Sequence, residues 1–232
     1  LVGSEMCIRD RHMGASVTES IMDYFRMLFH VDLIKFNSML EEFQKNLDAI
    51  ECMMENLGLL DSMIAIASYR ESLSYYSVPE LVKQEKAFLE SEDMYHPMLE
   101  NPVANTIKEE RGVLVTGSNA SGKSTFLKTV AISAVFAQTI HTCPARQYRA
   151  CYFQIYSSMA LKDNLQGNES YYIVEIKSLK RILNRVEEKT PLLCFVDEVL
   201  RGTNTIERIS ASAQILKSLA KVHVMCFAAT HD

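Results

Sequence analysis

The chain has 232 residues, 48% of them hydrophobic and 23% charged, with a formal net charge of −5. This is the composition of a soluble globular chain of one large or two small domains, and no internal repeat or low-complexity tract appears. The acidic balance argues against a domain-wide basic face for nucleic acid, and no run reaches the roughly eighteen apolar residues that a membrane-spanning helix needs. Six cysteines, Cys7, Cys52, Cys143, Cys151, Cys194 and Cys226, are scattered without a C-x-x-C pair. That spacing indicates neither a disulfide framework nor a zinc site, even with His141 near Cys143, and a reducing cytoplasm is the expected compartment.

Residues 2–11 (VGSEMCIRDR) closely resemble the translated end of a sequencing adaptor, so residues 1–12 are set aside as a scar. Residues 13–93 read as a helical segment. Ser16 and Glu19 form a capping box ahead of apolar residues at helical spacing, Ile21, Phe25, Leu28 and Phe29. Gly58 is expected to interrupt this pattern, with a second helix from Leu59 to Ser72. Met22, Met27, Met39, Met53, Met54 and Met63 are expected to fill a core, as unbranched and adaptable side chains do. A tyrosine pair, Pro79 and mixed charge between 74 and 93 mark the expected boundary, with a short strand at 87–89.

The run 112–116 (GVLVT) is short, apolar and rich in β-branched residues, which predicts a buried strand, and 126–138 reads as a helix. Between them lies GSNASGKST, residues Gly117, Ser118, Asn119, Ala120, Ser121, Gly122, Lys123, Ser124 and Thr125. This fits the phosphate-binding template G-x-x-x-x-G-K-[ST] in the strand–turn–helix context that the template requires. Glycines let backbone N–H groups close around a triphosphate, and the helix N-terminus adds its positive end. Lys123 is expected on the β- and γ-phosphates of ATP and the Ser124 hydroxyl on Mg²⁺. Residues 147–155 partly alternate polar and apolar side chains, so 145–160 is expected to supply antiparallel strands. Ser170 precedes a helical pattern of Ile173, Ile176, Leu179 and Ile182 and reads as its N-cap. The run 191–198 (PLLCFVDE) is an apolar strand ending in two acids, Asp197 for the metal shell and Glu198 for the attacking water. A last strand spans 222–229.

Beyond these local patterns, the motifs resemble those of the MutS family, the ATPases of DNA mismatch repair and their relatives. DEVLRGTNTIER at 197–208 is similar to the family's DE-x-x-RGT-[ST] segment, with Asn204 as a departure. YHPMLE at 95–100 and VAN at 103–105 resemble the HP-x-[LV]-E and PN elements, with Ala104 in place of proline. GSNASGKST resembles G-P-N-x-x-GKST with Ser118 for proline, and ATH at 229–231 matches directly. DNLQGNESYYIVE at 163–175 is similar to DDL-x-x-G-x-STF-x-x-E, with Asn164 and Tyr171 as departures. LLDSMIAIA at 59–67 resembles the helix joining the family's lever region to its ATPase, with Ala65 for serine.

The resemblance implies an α/β fold of the P-loop, ABC-type ATPase kind with a mostly parallel sheet, preceded by a helical segment. It implies lever or connector helices at 13–93 and an ATPase domain at 94–232 that is cut short at Asp232. Catalysis falls to Lys123, Glu198 and His231, with His231 near the γ-phosphate; ATP lies on residues 117–125, and Mg²⁺ on Ser124 and Asp197. Ser170 is expected at the nucleotide of a second MutS-like subunit, a homodimer partner. DNA is expected to be held by domains outside this chain. An ABC or structural-maintenance ATPase, or a nucleotide-binding scaffold without turnover, is the alternative reading.

Overall fold

A computed structural model describes residues 17–118, 121–159, 171–197 and 205–230. By contacts the chain divides into two compact units, 1–64 and 65–232.

The first unit is helical: α1 (Val17–Leu28), α2 (Val31–Lys45) and most of α3 (Leu47–Ser72). Helix α1 starts one residue after Ser16, which itself lies outside the described residues. Between α1 and α2, His30 adopts a left-handed conformation with φ 49°, and between α2 and α3 the Asn46 N–H donates to the Phe43 carbonyl at 3.2 Å. Two expectations are corrected here. Helix α3 runs unbroken through Gly58, because a glycine inside a helix costs only about 1 kcal/mol relative to alanine and 26 residues of ladder surround it. The six methionines fill no core: all are exposed, and neither α2 nor α3 has a buried residue. Helical periodicity gathers apolar residues on one face, but it does not supply the surface that covers them. Among the described residues no helix is long and apolar enough to cross a membrane.

The second unit is α/β and contains two four-stranded sheets. One has the order β1-β5-β2-β3, from β1 (Glu80–Val82), β2 (Leu89–Met94), β3 (Asn105–Glu109) and β5 (Gln147–Cys151). In it β2 runs antiparallel to β3 and β5. The other, β4-β8-β7-β6, is wholly parallel, built from β4 (Val113–Thr116), β6 (Gln154–Ser158), β7 (Leu192–Asp197) and β8 (Val224–Thr230). The unit therefore starts at Ala65 and takes in β1 and β2, which precede Met94, because both pair with β5. The expected antiparallel pairing of 145–160 holds for β5, whereas β6 joins the parallel sheet beside β7. Gln138 fixes the change of sheet: its amide accepts from the Phe153 N–H at 2.6 Å and donates to the Phe153 carbonyl at 3.1 Å.

Strands β7 and β8 are buried on both faces, the mark of a parallel sheet covered by helices. Their alternate residues serve two cores. Leu193, Phe195, Met225, Phe227 and Ala229 pack with Leu127, Val130, Ala134 and Ala137 of α4 (Lys123–Thr139), and the same cluster includes Leu89 and Tyr148 of the first sheet. Cys194, Val196, Cys226 and Ala228 face Leu179 and Ile182 of α5 (Tyr171–Arg185) and Leu219 of α6 (Thr205–Leu219). Cys194 lies opposite Cys226 in register; its hydrogen bond with Cys226, then burial, hold the Cys194 thiol well above the usual range, so it stays neutral.

An alanine side chain at position 58 would meet nothing within 4 Å. Gly58→Ala should therefore stabilise α3, by about 0.5–1 kcal/mol, through lower unfolded-chain entropy. Helix-monitored urea unfolding checks this; a loss of helical signal in the variant would mean that α3 bends at Gly58.

Candidate functional site

The carboxyl ends of the parallel strands meet at one edge of the second sheet, the place where open α/β folds hold ligands. Thr116 of β4 lies opposite Thr230 of β8, and Asp197 of β7 lies opposite Ala229. From Thr116 the chain turns sharply into α4. Gly117 takes φ 150°, and a Cβ there would lie 3.0 Å from Ser121 Oγ. Gly122 takes φ 90° and is the N-cap of α4 without a side-chain cap. Both are backbone conformations that only glycine adopts without strain. The first intrahelical bond is Phe126 N–H to the Gly122 carbonyl, 2.8 Å. That leaves the N–H groups of Ser124 and Thr125 outside the helix ladder, at the positive end of the helix dipole.

Lys123 opens α4 and is 93% buried by area, its relative exposure being 7%. Its ammonium donates to the carbonyls of Gly117 at 2.7 Å and Ser118 at 2.8 Å, so the turn curls around the charge. One residue on, the Ser124 hydroxyl donates to Asp197 Oδ2 at 2.7 Å, joining the start of α4 to the end of β7. The other carboxylate oxygen, Asp197 Oδ1, is buried with no hydrogen-bond partner among the described residues. Leaving a buried carboxylate oxygen unmatched is unfavourable by a few kcal/mol, which a cation would relieve. A hydroxyl and a carboxylate are hard oxygen donors, the set that Mg²⁺ takes when phosphates supply its remaining ligands. The residues present thus fit a magnesium-bound phosphate chain.

Of the expected site residues, the fold brings together Gly117, Ser118, Ser121, Gly122, Lys123, Ser124, Thr125 and Asp197. Asn119, Ala120, Ser170, Glu198 and His231 lie outside the described residues; α5, β7 and β8 end or begin beside the last three, at Tyr171, Asp197 and Thr230. One residue escaped the sequence reading. Ser158 ends β6 opposite Val196, and its buried hydroxyl has no partner among the described residues. Its signal in the sequence is a serine pair closing a strand, too common to single out.

The profile of MutS domain V matches residues 113–232. The chain belongs to the MutS family. Among its relatives, MutS protein homolog 4 of Mus musculus is 29% identical over 225 residues, covering 93% of this chain and 23% of the relative. The DNA mismatch repair protein MutS of Thermotoga sp. (strain RQ2) is 31% identical over 204 residues, 84% of this chain and 25% of the relative. The DNA mismatch repair protein MSH3 of Candida albicans (strain SC5314 / ATCC MYA-2876) is 28% identical over 219 residues, 87% and 21%. This MutS-family chain therefore spans about a quarter of the length of the curated relatives it matches.

Gly117 is the position in the turn that tolerates a side chain least. Gly117→Ala should destabilise the second unit by about 1–3 kcal/mol, since alanine must adopt a strained φ and displace Ser121. Chemical denaturation checks this; an unchanged midpoint would show that the turn relaxes freely.

Proposed function

We propose that this chain is the ATP-binding and ATP-hydrolysing part of a MutS-family protein, with the P-loop ATPase fold and its phosphate site at residues 117–125. The observation that carries the reading is the Ser124–Asp197 hydrogen bond beside Asp197 Oδ1, which has no partner among the described residues, one residue from the buried Lys123 ammonium. A magnesium ion bound there would neutralise charge on the terminal phosphates of ATP.

The chain's own residues do the rest. The N–H groups at the start of α4 orient the phosphate oxygens, and Lys123 exchanges its carbonyl partners for β- and γ-phosphate oxygens. Ser124 and Asp197 hold the metal's place. Glu198, next in the chain after Asp197, accepts a proton from the attacking water, so hydroxide character develops in line with the γ-phosphate. By resemblance to the family, His231 stands near the γ-phosphate and Ser170, the residue before Tyr171, faces the nucleotide of a second MutS-like subunit. The reading includes a homodimer with two shared sites. Two of the three relatives above are named DNA mismatch repair proteins, and we assign this chain the same kind of work: turnover drives a conformational switch, while DNA is held by other domains.

Two substitutions separate binding from chemistry in the full-length protein. Lys123→Ala should abolish ATP binding in an equilibrium titration, because the terminal phosphates lose their main charged contact. Glu198→Gln should bind ATP normally and lower steady-state phosphate release by about a hundredfold or more, the scale of a lost general base. Retained affinity in the first variant would refute the site, and normal turnover in the second would give the water to another group.

A further inference from the structure

Helix α4 is anchored at both ends. Its first turn carries Lys123 and Ser124, while its last turn is closed by residues of α3 that belong to the second unit. After the C-cap Ile140, His141 takes a left-handed φ of 47° and turns the chain back, leaving Thr142 fully buried. Arg70 reaches this turn. Its Nε donates to Thr142 Oγ1 at 2.8 Å and its Nη2 to the His141 carbonyl at 3.1 Å. The Thr142 hydroxyl passes the contact on by donating to the Ile140 carbonyl at 3.1 Å. Beside it the Tyr69 ring meets Phe136 edge-on at 5.4 Å, and the Arg70 guanidinium lies over Tyr76, 5.3 Å from the ring centroid.

Three properties make this cap more than packing. A cation at a helix C-terminus sits where the dipole favours it, so Arg70 is held there by charge as well as by geometry. The fork bonds two different groups of one turn, which fixes direction as a single contact cannot. Large side chains hold α4 to the core in its N-terminal half, Leu127 and Val130, whereas the buried residues of its C-terminal half are the small Ser133, Ala134 and Ala137, so the far end gains most from directional bonds. Directional bonds at the helix end, from Arg70 on the α3 side and Gln138 on the strand side, therefore add to the core packing of Leu127 and Val130 in setting the axial position. Helix α4 is 17 residues, about 25 Å, a continuous helix that joins the cap to the first turn. What displaces one end displaces the other.

We infer that Arg70 is a positioning residue for the nucleotide site: by capping the far end of α4 it sets the helix position at which Lys123 and Ser124 meet the phosphates, and occupancy of that site is felt in return at Arg70. The inference rests on the ATP-binding reading above. Coupling of this kind is reciprocal, so a cap that improves ATP binding must itself be tightened by ATP.

The test uses the full-length protein with MgATP as probe. Arg70→Ala should raise the MgATP dissociation constant about fivefold or more, the lower range of site-to-site coupling. Thr142→Val, which keeps the side chain's size and removes the hydroxyl relay, should give a similar rise, and the double variant should be no worse than the stronger single one. Arg149→Ala, which breaks exposed ion pairs to Glu80 and Glu90, should leave the constant within about twofold of the parent. In the parent, MgATP should slow amide exchange across residues 66–72, and in Arg70→Ala it should not. Should Arg70→Ala fail to fold, Thr142→Val carries the same expectation. Unchanged affinity in a folded cap variant with a lowered melting temperature, or additive effects in the double variant, would overturn the inference and reduce Arg70 to a structural cap. A parent protein that binds no MgATP would instead defeat the functional reading itself.

Discussion

The burial of α4 against the parallel sheet, with the first sheet on the same core, is the constraint on which the rest of the second unit depends. Leu127, Val130, Ala134 and Ala137 are almost wholly removed from water against Leu193, Phe195, Met225 and Phe227. Phe227 is the junction: it stacks on Phe195 at 5.7 Å and meets Phe126 of α4 edge-on at 6.2 Å. This non-directional packing delivers the first turn of α4 to the edge where β7 ends. The directional bonds then act over short distances, as Ser124 does in reaching Asp197 at 2.7 Å.

Stability and chemistry pull in opposite directions at that edge. The two glycines of the turn stand where any side chain would be strained, Lys123 is an ammonium taken almost out of water, and Asp197 keeps one oxygen without a partner among the described residues. Each of these features is unfavourable for folding taken alone. Together they describe a cradle that fits a phosphate chain and a hard cation, the ligands proposed above. The carbonyls of Gly117 and Ser118 keep Lys123 hydrogen-bonded in the meantime, so the charge is stabilised without being consumed.

How far the sequence revealed this differs from element to element. The strand, turn and helix at 113–139 were legible because β-branched residues, glycines and a helical run each act locally, and because the lysine and serine follow the second glycine at fixed spacing, although β4 ends the order of its sheet and is half-exposed, with Leu114 54% exposed, rather than the buried strand expected. Asp197 was legible as the end of an apolar strand, although its bond to Ser124, 73 positions away, is a tertiary fact. In the helical unit periodicity found helices but not burial, since Met22, Met39 and Met53 are exposed on helices α1, α2 and α3. Alternation failed at 154–158, since a period of two says which face a residue takes and not which sheet the strand joins. Ser158 and Arg70 were invisible for the same reason: their partners are set by the packing of elements distant in sequence.

The central claim is that Asp197 and Ser124 form the metal end of a nucleotide site. Its most direct test is ATP affinity of the full-length protein measured with Mg²⁺ and with excess chelator, in the parent and in Asp197→Ala. The account predicts tighter binding with Mg²⁺ in the parent and an affinity indifferent to Mg²⁺ in Asp197→Ala, because the variant loses the metal's carboxylate while Lys123 remains. An equal Mg²⁺ dependence in both proteins would contradict it.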